Sequence, residues 1–472
     1  MPAFAVFAFC WALSGLLDIT PFAAWFRSPM DTLFAASCLL VLLNPGSLWA
    51  FGVMNALRVA AFLADSPENA NHQVLFAVAS ATILAAWLQV AWREGSPRQV
   101  TPTRWRSAFA PLLRVELLGL YFFAVFHKLN HDYLDPVVSC AVNTLLAVVP
   151  AWIGDVIGTE PGPRHALIYG SLAAELLIPV LLVIRPARRL GVIAGVLFHS
   201  LLGIRFFAFS TGVLALYTLF IPGSVFQGAA TATKRLREAR DLRGWIYAAW
   251  TARTAALGLV VGFGWVAALL RSPDAGNLLP RVGFPALAYL WALAVVAALA
   301  GLFLAREARP CWRERAPGRL NSSGFLLVFP LLVLLNGSSP YLGLRTVPAF
   351  SMFSNLRTEG GITNHLFMPA TALRVASFQE DLVTILDVED EGLKRFARRP
   401  RRTFFALQHI VQKMALEQGK TDIAISFRRG SRRVDLRNAE EDPELMARIP
   451  WLQRKLLRFR AVPISRRREC SW

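Results

Sequence analysis

No lysine or arginine precedes Arg27, so the chain opens without the positive segment of a secretory signal, and no small-residue cleavage site follows. The first apolar segment is therefore expected to stay in the protein. Cysteine is scarce: the five present show no CxxC and no metal-ligand spacing, which leaves a cysteine-built metal centre unsupported. Charged residues make up only 17% of the chain, too few for the surface of an ordinary soluble domain. There are no convincing duplicated halves, the usual sequence pointer to a transporter, which ranks last among the readings. No recognition module for nucleic acid accompanies the net charge of +19, so nucleic acid is not an expected partner.

What is abundant is apolar sequence. Over 472 residues, 55% are hydrophobic and the mean hydropathy is +0.44, values that define a polytopic membrane protein. Windows near the roughly 20 apolar residues needed to cross a bilayer recur. Spans are predicted at residues 3–19, 31–44, 47–64, 72–92, 107–127, 166–184, 190–206, 209–226, 245–270, 283–304 and 324–338. The short second one carries Asn44-Pro45-Gly46, which also fits a re-entrant turn. The expectation is an all-α membrane protein of about 9–11 transmembrane helices with a small α+β extracytoplasmic carboxy-terminal domain. Residues 1–226 and 227–338 form the membrane part, and residues 339–472 the basic tail.

Basic clusters at Arg93 to Arg106, Arg185 to Arg189, Lys234 to Arg243 and Arg306 to Arg319 fall on one side of these spans, which should be cytoplasmic. The amino terminus is then cytoplasmic, and Lys128 to His165, the loop Arg271 to Arg281 and the tail face outward. The expected location is a bacterial inner (plasma) membrane. Arginines in the tail do not contradict this, because long domains translocate largely regardless of charge. Arg398, Arg399, Arg401 and Arg402 are expected to meet anionic lipid headgroups, making membrane lipids the first expected partner. Within the tail, Ala372 to Val388 reads as extended chain, Arg402 to Gln418 as helix, Asp422 to Leu436 as a hairpin and Pro443 to Phe459 as helix. Cys140 and Cys470 share the outer side, but spacing alone gives no distance between them.

The most informative stretch is Tyr121-Phe122-Phe123-Ala124-Val125-Phe126-His127-Lys128-Leu129-Asn130-His131-Asp132-Tyr133-Leu134. It closes a long apolar run with a lysine between histidines, groups that cost several kcal/mol at a membrane boundary unless hydrated, paired or used. Glu116 and His127 are eleven positions apart, about 20° on a helix, and so share a face, while Lys128 points about 100° away. His72, His127, His131, His165 and His365 sit at or beyond the outer ends of spans, with His199 in the outer half of its own. Glu116, Glu175, Arg114, Arg205 and Asp18 lie inside spans, where both interhelical pairing and a site are open readings.

This stretch resembles the aromatic, lysine-leucine and aspartate-aromatic pattern of the vitamin-K-dependent gamma-glutamyl carboxylase superfamily, whose bacterial branch is the HTTM (horizontally transferred transmembrane domain) proteins. The likeness continues through Glu175, the basic turn Arg185 to Arg189, Gly191 to His199 and an aromatic helix ending at Pro222, covering about residues 1–226. Ser339 to Thr346, Phe350 to Glu359 and Asn364 to Phe367 resemble the bacterial branch and read either as a loop capping an outer pocket or as a connector.

The resemblance implies an enzyme in which Lys128 is the base that deprotonates reduced vitamin K or a menaquinol. Oxygen then yields a strong base that removes a γ-proton from glutamate, and carbon dioxide adds in a carbon–carbon bond-forming step. Desolvation at an apolar boundary would suit a lysine to that role. His127 and His199 would join Lys128 as catalytic residues, with Glu116, Glu175, His131, Asp132, Arg205 and His365 lining the pocket for substrate or cofactor. A protein or peptide on the outer side would be the substrate.

The chain departs from the family in three places. His127-Lys128 stands where the carboxylase has a lysine doublet, Leu202-Gly203-Ile204-Arg205 replaces the family's polar segment, and the large lumenal region is missing. The expectation becomes a quinone-dependent membrane enzyme acting with a quinol or other lipid-soluble reactant. A non-catalytic protein that binds lipid or a partner is the alternative.

Overall fold

The computed structural model describes residues 2–18, 28–146, 151–203, 206–228, 231, 324–370, 373–399, 401–465 and 467–470. The spans predicted at 245–270 and 283–304, the clusters Lys234 to Arg243 and Arg306 to Arg319, the loop Arg271 to Arg281, Cys311, Arg205 and Arg466 lie outside the described residues.

The described chain is mostly helical with one small antiparallel sheet. The helices are α1 (Pro2–Asp18), α2 (Pro29–Leu43), α3 (Leu48–Asp65), α4 (Asn71–Arg93), α5 (Pro102–Phe126), α6 (His131–Leu134), α7 (Cys140–Leu146), α8 (Ala151–Ile157) and α9 (Pro161–Val183). Then follow α10 (Arg188–Leu202), α11 (Phe207–Tyr217), α12 (Val328–Ser338), α13 (Glu391–Ala397), α14 (Phe404–Gln412) and α15 (Trp451–Leu456). Among the described residues, α3, α4, α5 and α9 are long and apolar enough to cross a membrane, and α1, α2 and α12 are shorter apolar helices. The segment at 31–44 is helical over Pro29–Leu43. Ser28 caps it by accepting the Asp31 amide at 3.1 Å, Pro29 opens it, and Asn44-Pro45-Gly46 forms the turn to α3.

Two compact units are present. The first comprises residues 1–61, 75–119 and 176–331. Its core is aromatic: Phe4, Phe7, Trp11, Phe51, Trp105 and Phe109 pack with ring centroids 5.3–6.2 Å apart. Trp11 donates its indole N–H to Asn55 at 3.0 Å, and the Arg58 guanidinium lies 4.4 Å from the Trp11 ring centroid. Gly15 makes this possible, since a Cβ there would meet Arg58 Nη2 at 2.7 Å and Cys38 Sγ at 2.8 Å.

The second unit comprises residues 62–74, 120–175 and 332–472. Its sheet has the order β2-β1-β3-β4, with β1 Leu382–Val388, β2 Arg401–Thr403, β3 Ile425–Arg429 and β4 Arg432–Leu436, all neighbours antiparallel. Val383 and Ile385 on β1 and Ile425 and Phe427 on β3 alternate inward, as a two-residue period requires, against Leu407 and Val411 of α14. Gly430, at φ 59°, turns the predicted hairpin between β3 and β4.

Three boundaries differ from the sequence reading. Of the described residues 373–388 only Leu382–Val388 forms a strand, because Ser377 to Glu380 closes a turn through the Glu380 amide and the Ser377 carbonyl. The helix expected over 402–418 starts at Phe404, because Arg402 and Thr403 pair in β2, and runs on past Gln412 as a π-helix over Lys413–Glu417. The helix expected over 443–459 shrinks to α15. Asp442 accepts the amides of Glu444 and Leu445, Pro450 restricts the residue before it, and the Arg458 carbonyl is taken by the amides of Thr346 and Val347.

Candidate functional site

The site is built where α5 ends. Its last turn passes into an extended step at Asn130, whose side-chain oxygen accepts the Tyr133 amide at 2.8 Å and so caps α6. Asn130 is fully buried, and its amide group donates to the carbonyls of His127 (2.7 Å) and Ser354 (2.6 Å). A second segment more than two hundred residues later closes on this step. Asn130 and His365 form an antiparallel bridge, in which the His131 amide reaches the Asn364 carbonyl at 3.0 Å and the Leu366 amide reaches the Leu129 carbonyl at 2.9 Å. The passages read separately in the sequence as a lysine motif and a returning loop are thus one structure.

Side chains reinforce the bridge. Asn364 donates to Asp132 Oδ2 at 2.7 Å, and that carboxylate also receives the Arg468 amide at 3.0 Å. His365 Nε2 faces the Phe126 carbonyl at 2.9 Å, while its Nδ1 receives the amides of Phe367 and Met368. A carbonyl only accepts, so Nε2 carries the proton and the ring is neutral. Burial pulls this imidazole below its usual value, although the Phe126 carbonyl opposes the shift. His127 follows the same logic: Nε2 donates to the Ala349 carbonyl at 3.1 Å and Nδ1 pairs with the Tyr341 hydroxyl at 2.9 Å. Both of its nitrogens are occupied, which fixes the ring at the end of α5 beside Lys128.

A buried ion pair joins Lys128 to Glu175. The Lys128 Nζ contacts both carboxylate oxygens of Glu175 on α9, and both side chains are at least nine-tenths buried. The Tyr133 ring lies 5.7 Å from the amine, and the Tyr133 hydroxyl pairs with Ser171 Oγ at 3.1 Å. Burial alone would lower the affinity of Lys128 for its proton, but the Glu175 carboxylate, with Tyr133, outweighs it and holds the ammonium form above the ordinary range. At rest the pair is ionic. The simple expectation that desolvation leaves this lysine neutral is therefore reversed by its partner.

A second set of buried charges supports the returning segment. Glu359 is fully buried and accepts from Arg460 Nε at 2.9 Å and from the Thr358 amide at 3.0 Å. Burial would raise its carboxyl, yet Arg460 and Arg468 hold it down at about 2. Cys140 and Cys470 form a disulfide with their Cα atoms 4.9 Å apart. Beside it, Asn355 accepts the Cys140 amide at 2.8 Å and donates to the carbonyls of Val138 and Arg468, both at 2.9 Å.

The other predicted residues are placed as follows. Glu116 belongs to the first unit, where Thr82 Oγ1 donates to it at 2.6 Å. His199 is buried in the first unit with the rings of Phe209 and Tyr217 at 5.5 and 5.9 Å. His131 is exposed and contributes its backbone, and Asp132 is buried and bonded as described. Arg398 and Arg399 are exposed, whereas Arg402 is used internally, lying 4.3 Å from the Phe396 ring and donating to the Phe396 and Arg399 carbonyls. Arg401 is half-buried in β2.

Sequence reasoning missed Asn130, Tyr133, Tyr341 and Asn364 as site residues, although all four stand inside the motifs it singled out. Among the described residues no cluster of three histidines, cysteines or acids could hold a metal ion. No protein-family model, curated protein or solved structure matches the chain.

Proposed function

We propose that the chain is an integral membrane enzyme of the acid–base kind, working on a lipid-soluble hydroxyl compound at the Lys128–Glu175 pair. The observation that carries this reading is the pair itself. A buried amine and carboxylate in contact are costly unless used, and intramembrane ionisable groups mark sites by default. In a dry environment the ionic pair and its neutral form, amine beside carboxylic acid, draw closer in energy. Glu175 can hold the lysine's proton while the freed amine takes one from an approaching hydroxyl. His127, Tyr341 and His365 fix the end of α5, so the amine is presented in one orientation.

A quinol fits this donor set, because an amine, a carboxylate and a phenol stand among aromatic rings. Such a group, when bound, supplies an acidic hydroxyl and a redox couple. Lys128 and Glu175 would receive its proton, and Tyr133 and Phe126 would meet its ring. The likeness to the gamma-carboxylase superfamily supports a carboxylase-like or quinone-dependent reaction, and the small tail favours a small lipid-soluble reactant over a protein.

On topology, four helices long enough to span and the disulfide support a bacterial plasma-membrane protein whose tail lies in an oxidising, extracytoplasmic compartment. One observation favours the non-catalytic alternative: Arg398 and Arg399 are exposed with no acidic partner among the described residues, as headgroup binding would require.

Mass spectrometry of lipids co-purified with the wild type and with Lys128→Ala tests the proposal. A quinone-type compound retained by the wild type and lost in the variant is the expected result. Phospholipid alone in both samples would remove the enzyme reading.

A further inference from the structure

We infer that the first unit holds a binding site for the phosphate headgroup of an anionic phospholipid, at the crevice between the α2–α3 turn and the short turn joining α4 to α5. This inference rests on the reading of these helices as membrane spans, but concerns a different place from Lys128. The crevice has a volume of about 430 Å³, within the range of small-molecule sites and far beyond the ~30 Å³ share of a water. One wall is a pair of indoles, Trp49 and Trp87, in edge contact with ring centroids 5.7 Å apart. Asn44, Ser47 and Arg98 add polar groups beside Leu48, Pro97 and Val100, and no acid lines it among the described residues.

The charge balance identifies the ligand's sign. Arg98 is exposed and has no carboxylate partner among the described residues, while the nearby Glu94 is already paired with Arg104. An unneutralised guanidinium over a crevice attracts a phosphate in preference to a neutral or cationic group. The indoles identify the ligand's other half. Trp49 is 67% exposed although it opens an apolar helix, and tryptophan in that position sits at the headgroup level, with its ring against acyl chains and its N–H toward water. A free phosphate would satisfy Arg98 and leave this wall uncovered. A phosphodiester with hydrocarbon attached satisfies both.

The test uses the full chain in neutral detergent, following the thermal midpoint as dioleoyl phosphatidylglycerol, dioleoyl phosphatidylcholine or inorganic phosphate is added. Phosphatidylglycerol should raise the midpoint saturably and the other two should not. Arg98→Gln and Trp87→Ala should each weaken the apparent affinity by about tenfold, the worth of one charge-assisted contact or one ring wall. Arg432→Gln, at an exposed arginine of β4, should leave it unchanged. An equal response to phosphatidylcholine, or to phosphate alone, overturns the assignment, as does full phosphatidylglycerol affinity in both variants. Trp87→Phe, which keeps the packing, guards against a folding defect and should retain most of the affinity. Alkaline carbonate extraction separates the two readings: release from membranes defeats the membrane assignment, whereas a retained protein with unaltered variants defeats this site alone.

Discussion

Lys128→Ala and Glu175→Leu should each destabilise the protein by about 3–5 kcal/mol, while Lys128→Met combined with Glu175→Leu recovers most of that loss. The reason is the asymmetry of buried ion pairs. Removing one partner strands the other charge at a site where both side chains are at least nine-tenths buried, and replacing both removes the desolvation cost along with the attraction. The same three variants differ in another way if the pair does chemistry. All three, including the refolded double variant, should lose turnover by about 10²–10⁴-fold, the usual contribution of a positioned acid or base. Thermal unfolding in detergent supplies the first comparison, and turnover of a lipid-soluble hydroxyl substrate the second. A double variant that regains both stability and activity would reduce the pair to a structural clamp.

Cys470→Ser should lower stability by about 2–5 kcal/mol, the range for a native disulfide closing a long loop, here with its ends 330 positions apart in sequence. The loss should be local to the second unit. The disulfide fixes the chain beside Arg468, whose amide meets Asp132 and whose carbonyl meets Asn355. Tyr133 shares the buried cluster that includes Cys140, and Cys470 packs against it. Freeing the tail therefore loosens the ring beside the Lys128 amine. Thermal unfolding of the wild type with and without reductant, set against Cys470→Ser without it, measures this. Reductant should reproduce the variant's midpoint and leave the variant unaffected. An unshifted midpoint in both would show that the hydrogen bonds hold the tail unaided.

Much of the site was legible because its chemistry is local in sequence. Lys128 stands out as a charge closing an apolar run, Glu175 as an acid within another, and both entered the expected pocket. Their direct pairing was not legible, since forty-seven positions separate them and neither periodicity nor spacing records a contact across helices. The bridge of Asn130 with His365 lies deeper still. Two short loops with no regular period meet through backbone groups, which every residue carries alike. The partners of His127 were equally hidden, because the Tyr341 hydroxyl and the Ala349 carbonyl that occupy its ring nitrogens lie more than two hundred positions away. In the tail, the hairpin was readable from Gly430 and its flanking alternation, while the end of α15 depends on Arg458 bonding to Thr346 and Val347.

The central claim is that Glu175 and Lys128 exchange a proton when a hydroxyl reactant enters. Infrared difference spectroscopy of the protein with and without a bound quinol analogue reads this at the carboxyl group. The account predicts a protonated carboxylic acid band that appears on binding, shifts in heavy water and is missing in Glu175→Gln. A carboxylate signal at Glu175 unchanged by the bound analogue would contradict it.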